Sequence, residues 1–193
     1  MTLTAQILIV ALVIFSITSC SQALHEDMGK RLEQSGDLTG AIAEYRKATQ
    51  ASPASCKAHT TLGLALMKSG DLPEAEKELR EAVALDVNSV EAHLLLAEAL
   101  LGRKNWAEAK TEFDVAAIYK PKCAQCVRGL GLVLEGQGDT KGAIEKYRQA
   151  IALDESYPEA HKSLGLALGK QGDALSARKE IEEADRLRAQ KPK

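Results

Sequence analysis

The sequence predicts an all-α fold, a solenoid of five helix-turn-helix units. Three observations carry that prediction. One residue pattern returns every 34 residues, as it does when a single structural unit is copied along a chain. Within each copy, apolar residues fall at the spacings of two separate helical faces. Between the two faces stands Gly-Asp, a pair suited to ending one helix in a left-handed residue and capping the start of the next.

Gly36-Asp37, Gly70-Asp71, Gly138-Asp139 and Gly172-Asp173 are separated by 34, 68 and 34 residues, and the missing copy falls at Lys104-Asn105. Five gapless blocks result: 22–55, 56–89, 90–123, 124–157 and 158–191. With positions numbered inside each block, the first reads Met28 at 7, Gly29 at 8, Leu32 at 11, Ala41 at 20, Tyr45 at 24 and Ala48 at 27. The second repeats this as Leu62, Gly63, Leu66, Ala75, Leu79 and Ala82, with Pro73 where a first helical turn tolerates proline. The third gives Leu96, Ala97, Leu100, Ala109, Phe113 and Ala116, and the fourth Leu130, Gly131, Leu134, Ala143, Tyr147 and Ala150. The fifth gives Leu164, Gly165, Leu168, Ala177, Ile181 and Ala184. Its second helix, "LSARKEIEEADRLRAQ", is polar enough to serve as the soluble outer face of a terminal unit, with a dimer contact as the alternative. Small residues at 8, 20 and 27 let the two helices of a unit approach closely, and bulk at 7, 11 and 24 fills the space between them. One such hairpin cannot bury its apolar face alone, so stacked neighbours are expected to form one continuous core.

In these positions the chain resembles the tetratricopeptide repeat family, over nearly everything after residue 21. It departs from the family at position 4, usually aromatic, which is His25, His59, His93, Val127 and His161, and at position 32, where proline stands only as Pro53 and Pro121. The resemblance implies a right-handed superhelix whose concave groove is lined by the first helix of each unit, with positions 2, 5, 9, 12 and 13 facing it. Carried onto this chain, those are Lys57, Thr60, Leu64, Met67 and Lys68; Glu91, Leu94, Glu98 and Leu101; Gln125, Arg128, Leu132 and Glu135; and Glu159, Lys162 and Leu166. The ligand so implied is a protein or peptide. Leu64, Leu132 and Leu166 share position 9 and suggest an apolar strip for an extended segment or helix; the alternative is that they pack against the neighbouring unit. Family members that grip a chaperone's terminal carboxylate carry Asn at position 9. Here that position is Lys30, Leu64, Glu98, Leu132 and Leu166, so that clamp is absent.

The first residues differ in kind. "MTLTAQILIVALVIFSITSC" has no charged side chain, and its apolar run spans Ile7 to Ile17. That is short of the roughly 20 residues that cross a bilayer and fits the apolar middle of a secretory signal, about 7–15 residues. Ile17-Thr18-Ser19-Cys20 resembles a bacterial lipobox, which implies cleavage after residue 19 and lipidation of Cys20. Ser21 follows Cys20; in Gram-negative lipoproteins this implies outer-membrane sorting. Against that stands the lack of Lys or Arg before the apolar run, and an uncleaved anchor or plain secretion is the alternative. The expected organisation is a signal over 1–19, a lipidated start at 20–21, repeats over 22–191 and a tail at 192–193. Two or more acyl chains would hold the chain firmly to a membrane.

Net charge is −2, with 27% charged residues, so nothing provides the basic footprint that nucleic-acid binding needs. Aromatics are 4% of the chain, and the core is built from Leu and Ala. The four histidines all occupy position 4. Equivalent positions in stacked units lie about two helix spacings apart, each roughly 8–10 Å, so they cannot meet on one metal ion. They are expected to pack flat, and a buried uncharged histidine would make stability fall at acidic pH. Three readings of Cys123-Ala124-Gln125-Cys126 stand: a local disulfide, incidental thiols, or a redox or metal role. No haem-type histidine follows the pair, since Val127 stands there, and Cys56 is too far away to complete a zinc set. No nucleophile motif, phosphate loop or catalytic carboxylate pair is present, and Glu and Lys are expected on solvated helix faces. The sequence thus points to a non-enzymatic, cofactor-free scaffold of the bacterial cell envelope, anchored by lipid and binding a protein partner in its groove. The alternative is an assembly factor for redox or cytochrome maturation using Cys123 and Cys126.

Overall fold

The turn between the helices of each hairpin is set by one residue with positive φ followed by one cap. Gly36, Gly70, Gly138 and Gly172 take φ of 88°, 86°, 91° and 91°, and Lys104 takes the same place at 61°. The next residue caps the second helix through its side chain. Asp37 accepts from the Gly40 N–H at 2.8 Å, Asp71 from Glu74 at 3.2 Å, Asn105 from Glu108 at 3.4 Å, Asp139 from Gly142 at 2.9 Å and Asp173 from Ser176 at 3.1 Å. Each cap satisfies a backbone donor that the helix itself leaves unpaired.

The structure, a computed structural model, describes residues 20–190, which form ten helices with no strand among them. The signal-like segment 1–19 and the tail 192–193 lie outside the described residues, and so does Lys191. The helices are α1 (20–34), α2 (Leu38–Ala51), α3 (Cys56–Ser69), α4 (Leu72–Leu85), α5 (Val90–Gly102), α6 (Trp106–Tyr119), α7 (Ala124–Gly136), α8 (Thr140–Leu153), α9 (Pro158–Lys170) and α10 (Ala174–Gln190). Among the described residues, no helix is long and apolar enough to cross a membrane.

These helices fall into two compact units, divided between Val87 and Asn88. In the first, α2 and α4 pack on α3. Its core gathers Ala41, Tyr45, Leu62, Leu66 and Ala75, all at or below 2% exposure. Leu79 is fully buried and lies directly over Gly63, where any Cβ would overlap its side chain. Burial of such a leucine contributes about 1.5–3 kcal/mol. Met28, expected to fill the core at position 7, is instead 43% exposed.

In the second unit each hairpin closes on itself, α5 with α6, α7 with α8, and α9 with α10. The hairpins join through α6 on α7 and α8 on α9. Phe113 sits in the contact between hairpins: its ring occupies the space above Gly129 of α7 that a Cβ would fill. The first helices also touch one another in order, α5 on α7 and α7 on α9, whereas no pair of second helices packs as closely. Successive units therefore converge on the first-helix side, which makes that side of this unit concave.

The expectation that Glu and Lys are simply solvated is corrected here. Glu26, Glu44 and Glu76 are buried, at 5%, 8% and 5% exposure. Burial pushes the Glu26 carboxyl up, but hydrogen bonds from Lys57 and Gln22 outweigh it and leave its pKa lowered. The histidines do not merely pack flat either. Each position-4 ring places Nδ1 on a carboxylate of the same hairpin's second helix: His25 on Glu44 at 2.7 Å, His59 on Glu78 at 2.8 Å, His93 on Glu112 at 2.6 Å and His161 on Glu180 at 2.8 Å. The fourth repeat has Val127 and Lys146 at those two positions and lacks both members.

Candidate functional site

The concave side of the second unit holds two adjoining depressions. One, of about 460 Å³, has Val90, Leu94 and Leu95 as its floor and Glu91, Glu98, Lys120 and Gln125 around it. The other, of about 480 Å³, is lined by Ala124, Leu153 and Tyr157 together with Lys120, Lys122, Gln125, Asp154 and Glu159. Lys120 and Gln125 line both, so the two run into one another at the start of α7. The shape follows from the sequence: position 1 of the second to fifth repeats starts a first helix, which brings positions 2, 5 and 9 of α5 and position 2 of α7 and α9 to the same edge.

Arg128 stands in the middle of α7. Its Nε donates to Ser163 Oγ at 3.2 Å and a terminal nitrogen to the Tyr157 hydroxyl at 3.3 Å. The guanidinium also lies 5.9 Å from the centre of the Tyr157 ring, within reach of a cation–π interaction. Glu98 is exposed to water, yet the protein packed around its recess disfavours the carboxylate. That crowding raises its pKa, against the opposing pull of Arg128.

The other residues expected in the groove have different situations. Leu101 is half-buried and Lys162 exposed. Leu132 is half-buried against the core cluster of Ala143, Tyr147 and Leu164, whereas Leu166, the same position one repeat on, is 51% exposed. Glu135 accepts from the Tyr147 hydroxyl at 2.6 Å and from Lys170. In the first unit Lys57 pairs with Glu26 at 2.7 Å, Lys68 pairs with Glu33, and Met67 packs on the core. Thr60 is buried and donates its hydroxyl to the Cys56 carbonyl at 2.8 Å, while Leu64 is half-buried.

Sequence reading missed a three-residue link that occurs twice. Tyr45 and Lys68 meet on Glu33, and Tyr147 and Lys170 meet on Glu135, so position 24 of one repeat and position 13 of the next share a carboxylate at position 12. The signal was there, in Glu at position 12 only in the two repeats with Tyr at 24.

Cys123 and Cys126 are disulfide-bonded at the first turn of α7, at 1% and 0% exposure. Cys123 is the N-cap, and its sulfur accepts the Cys126 N–H at 3.0 Å where Ser55 and Ser89 cap the preceding first helices. Cys56 is a half-buried free thiol, and Cys20, the first described residue, is exposed.

A family model described as TPR repeat matches residues 29–70 and again 129–172, and one described as tetratricopeptide repeat matches 60–122. The chain belongs to the tetratricopeptide repeat family. No curated protein matches it. Among solved tetratricopeptide-type structures, that of MamA is 28% identical, with a TM-score of 0.67 over 84% of this chain and 95% of that one. The repeat protein TTC0263 of Thermus thermophilus shares the fold at a TM-score of 0.78 and 19% identity, covering 88% of this chain and 92% of its own. YrrB, described as a TPR protein with an unusual peptide-binding site, matches at 0.59 and 15% identity over 86% of each chain. Tetratricopeptide repeats mediate protein–protein interaction and are typically non-catalytic scaffolds, which is the frame in which the concave side is to be understood.

Proposed function

We propose that this chain is a membrane-anchored scaffold of the bacterial cell envelope that binds a protein partner, without turnover, on the concave side of its first helices. The observation that carries the reading is the pair of adjoining depressions in the second unit. They are lined by Glu91, Leu94, Glu98, Gln125 and Glu159, the first with Val90, Leu94 and Leu95 as an apolar base and the second mainly polar. Such a surface suits an extended segment with apolar anchors and polar flanks. The peptide-binding site of YrrB is a parallel at the level of fold. Anchoring rests on the apolar segment Ile7–Ile17 and the lipobox-like approach to Cys20.

The redox alternative is the weaker one. Both sulfurs of Cys123 and Cys126 are enclosed by protein, and a buried pair is poorly placed to exchange with a substrate thiol. The pair reads better as a staple on the start of α7.

Two variants in the native organism test the scaffold reading. The wild-type chain should take up a fatty-acid analogue and Cys20→Ala should not; a wild-type chain that takes up no label would refute lipid anchoring. Leu166→Glu, at an exposed position that spares the core, should weaken crosslinking to partner proteins. Unchanged crosslinking to every partner would refute binding along that face.

A further inference from the structure

Nearby opposite charges in this protein usually pair. Lys57 reaches Glu26, Lys68 reaches Glu33, Arg46 reaches Glu74 and Lys170 reaches Glu135. Glu98 and Arg128 are electrostatic neighbours that do not close into an ion pair among the described residues. The reason is geometric. Arg128 is drawn toward α9 by Ser163 and Tyr157, two neutral partners that hold the guanidinium without discharging it. Glu98 stays on the α5 side, at the edge of a recess floored by Leu94 and Leu95. This face thus carries an exposed carboxylate at Glu98 and a half-buried guanidinium at Arg128, close enough to influence one another and not neutralised by pairing. Burial around the recess raises the Glu98 pKa, against the opposing pull of Arg128, whereas Glu26 and Glu33, which are ion-paired, have theirs lowered.

We propose that this face selects an extended protein segment presenting one basic and one acidic side chain, the basic group docking on Glu98 and the acidic group on Arg128. The inference rests on the groove reading above and names the chemistry of its occupant. A lysine or arginine suits the first site because its aliphatic stem covers the Leu94 and Leu95 floor while its charge reaches the carboxylate. A carboxylate suits the second because the guanidinium keeps its charge and further N–H donors beyond the two given to Ser163 and Tyr157, which already orient it. Alternate residues of an extended chain lie on one face about 7 Å apart, so one strand can present both groups at once. Charge complementarity of this kind acts chiefly on selectivity, through repulsion of segments with the wrong sign.

A random-peptide display library panned against the full chain and its charge-reversal variants tests this. The wild-type protein should enrich peptides with one basic and one acidic residue. Glu98→Lys should shift the enriched set toward acidic peptides and Arg128→Glu toward basic ones, each by about tenfold in preference. Arg128→Lys should leave the sign preference in place. Glu145→Lys, on the exposed side of α8, should not change the set. An unaltered charge composition in both Glu98→Lys and Arg128→Glu, or an equal shift in Glu145→Lys, would overturn the proposal. Gln125→Trp separates this from the reading beneath it, since it fills the junction of the two depressions. If it abolishes binding while the charge reversals leave the enriched set unaltered, the groove stands and the dipolar selection falls. If the enriched peptides still bind Gln125→Trp undiminished, or the wild type enriches none, the groove reading itself fails.

Discussion

The pairing of His161 with Glu180 is open to a double-mutant cycle in the second unit. Nδ1 lies 2.8 Å from a carboxylate oxygen, and Nε2 lies 3.2 Å from the Glu155 carbonyl. The two side chains are 10% and 26% exposed. An exposed ion pair contributes about 0.2–1 kcal/mol, and a hydrogen bond to a charged group about 1.5–3 kcal/mol. A mostly enclosed pair with one member still touching water falls between these, so the expected coupling is about 1–2 kcal/mol. His161→Ala, Glu180→Ala and the double variant would be unfolded in urea. The protein's one tryptophan, Trp106, reports on this unit, since its ring lies against Gly136 across the contact between α6 and α7. The cycle of Val127→Ala and Lys146→Ala, the same two positions in the repeat without the pair, is the internal control and should show far less coupling. A His161–Glu180 coupling below about 0.3 kcal/mol, within ordinary additivity error, would refute the claim that these pairs tie the two helices of each hairpin together.

Lys104 holds a left-handed conformation that the other four repeats assign to glycine. That conformation costs a side chain about 1–2 kcal/mol, partly offset by the greater freedom of glycine in the unfolded chain. Lys104→Gly should therefore raise the urea midpoint, by up to about 1 kcal/mol in stability; a lowered midpoint would contradict this. Alkaline pH should destabilise both units. Burial and the hydrogen bond to Glu33 push the Tyr45 hydroxyl from 10.0 up to about 12, and burial with Glu135 pushes Tyr147 in the same direction. A folded-state pKa raised in this way contributes stability that is complete below pH 10 and is lost as pH climbs through the folded-state value. For Tyr45 that loss amounts to about 2–3 kcal/mol. Spectrophotometric titration showing both tyrosines ionising near pH 10 in the folded chain would refute it.

Much of the fold could be read from the chain because a repeat states its own register. First helices begin at Cys56, Val90, Ala124 and Pro158, each at position 1 of its block, and second helices at Leu38, Leu72, Trp106, Thr140 and Ala174, each at position 17. Glycine, cap and apolar spacing are local signals, and local signals survive in one dimension. The histidine–glutamate pairs were harder to see because they join two helices across 19 residues, a separation with no helical period. Their trace was the joint replacement by Val127 and Lys146. The division at Val87 left no mark, since the repeat runs through it without a gap. Position 9 was ambiguous for a physical reason. The same leucine is half-buried on the core as Leu132 and exposed as Leu166, and what differs is its surroundings, not its residue type. Glu98 and Arg128 were named as groove residues, but only the Ser163 and Tyr157 contacts show why they remain unpaired.

The central claim is that partners dock on the concave side of the first helices. A photo-crosslinking amino acid placed at Gln125, where the two depressions meet, tests it against the same group at Leu175, which is 83% exposed on α10. Irradiation in native membranes should yield partner adducts from position 125 and none from position 175. Adducts from Leu175 alone, or equally from both, would contradict the account.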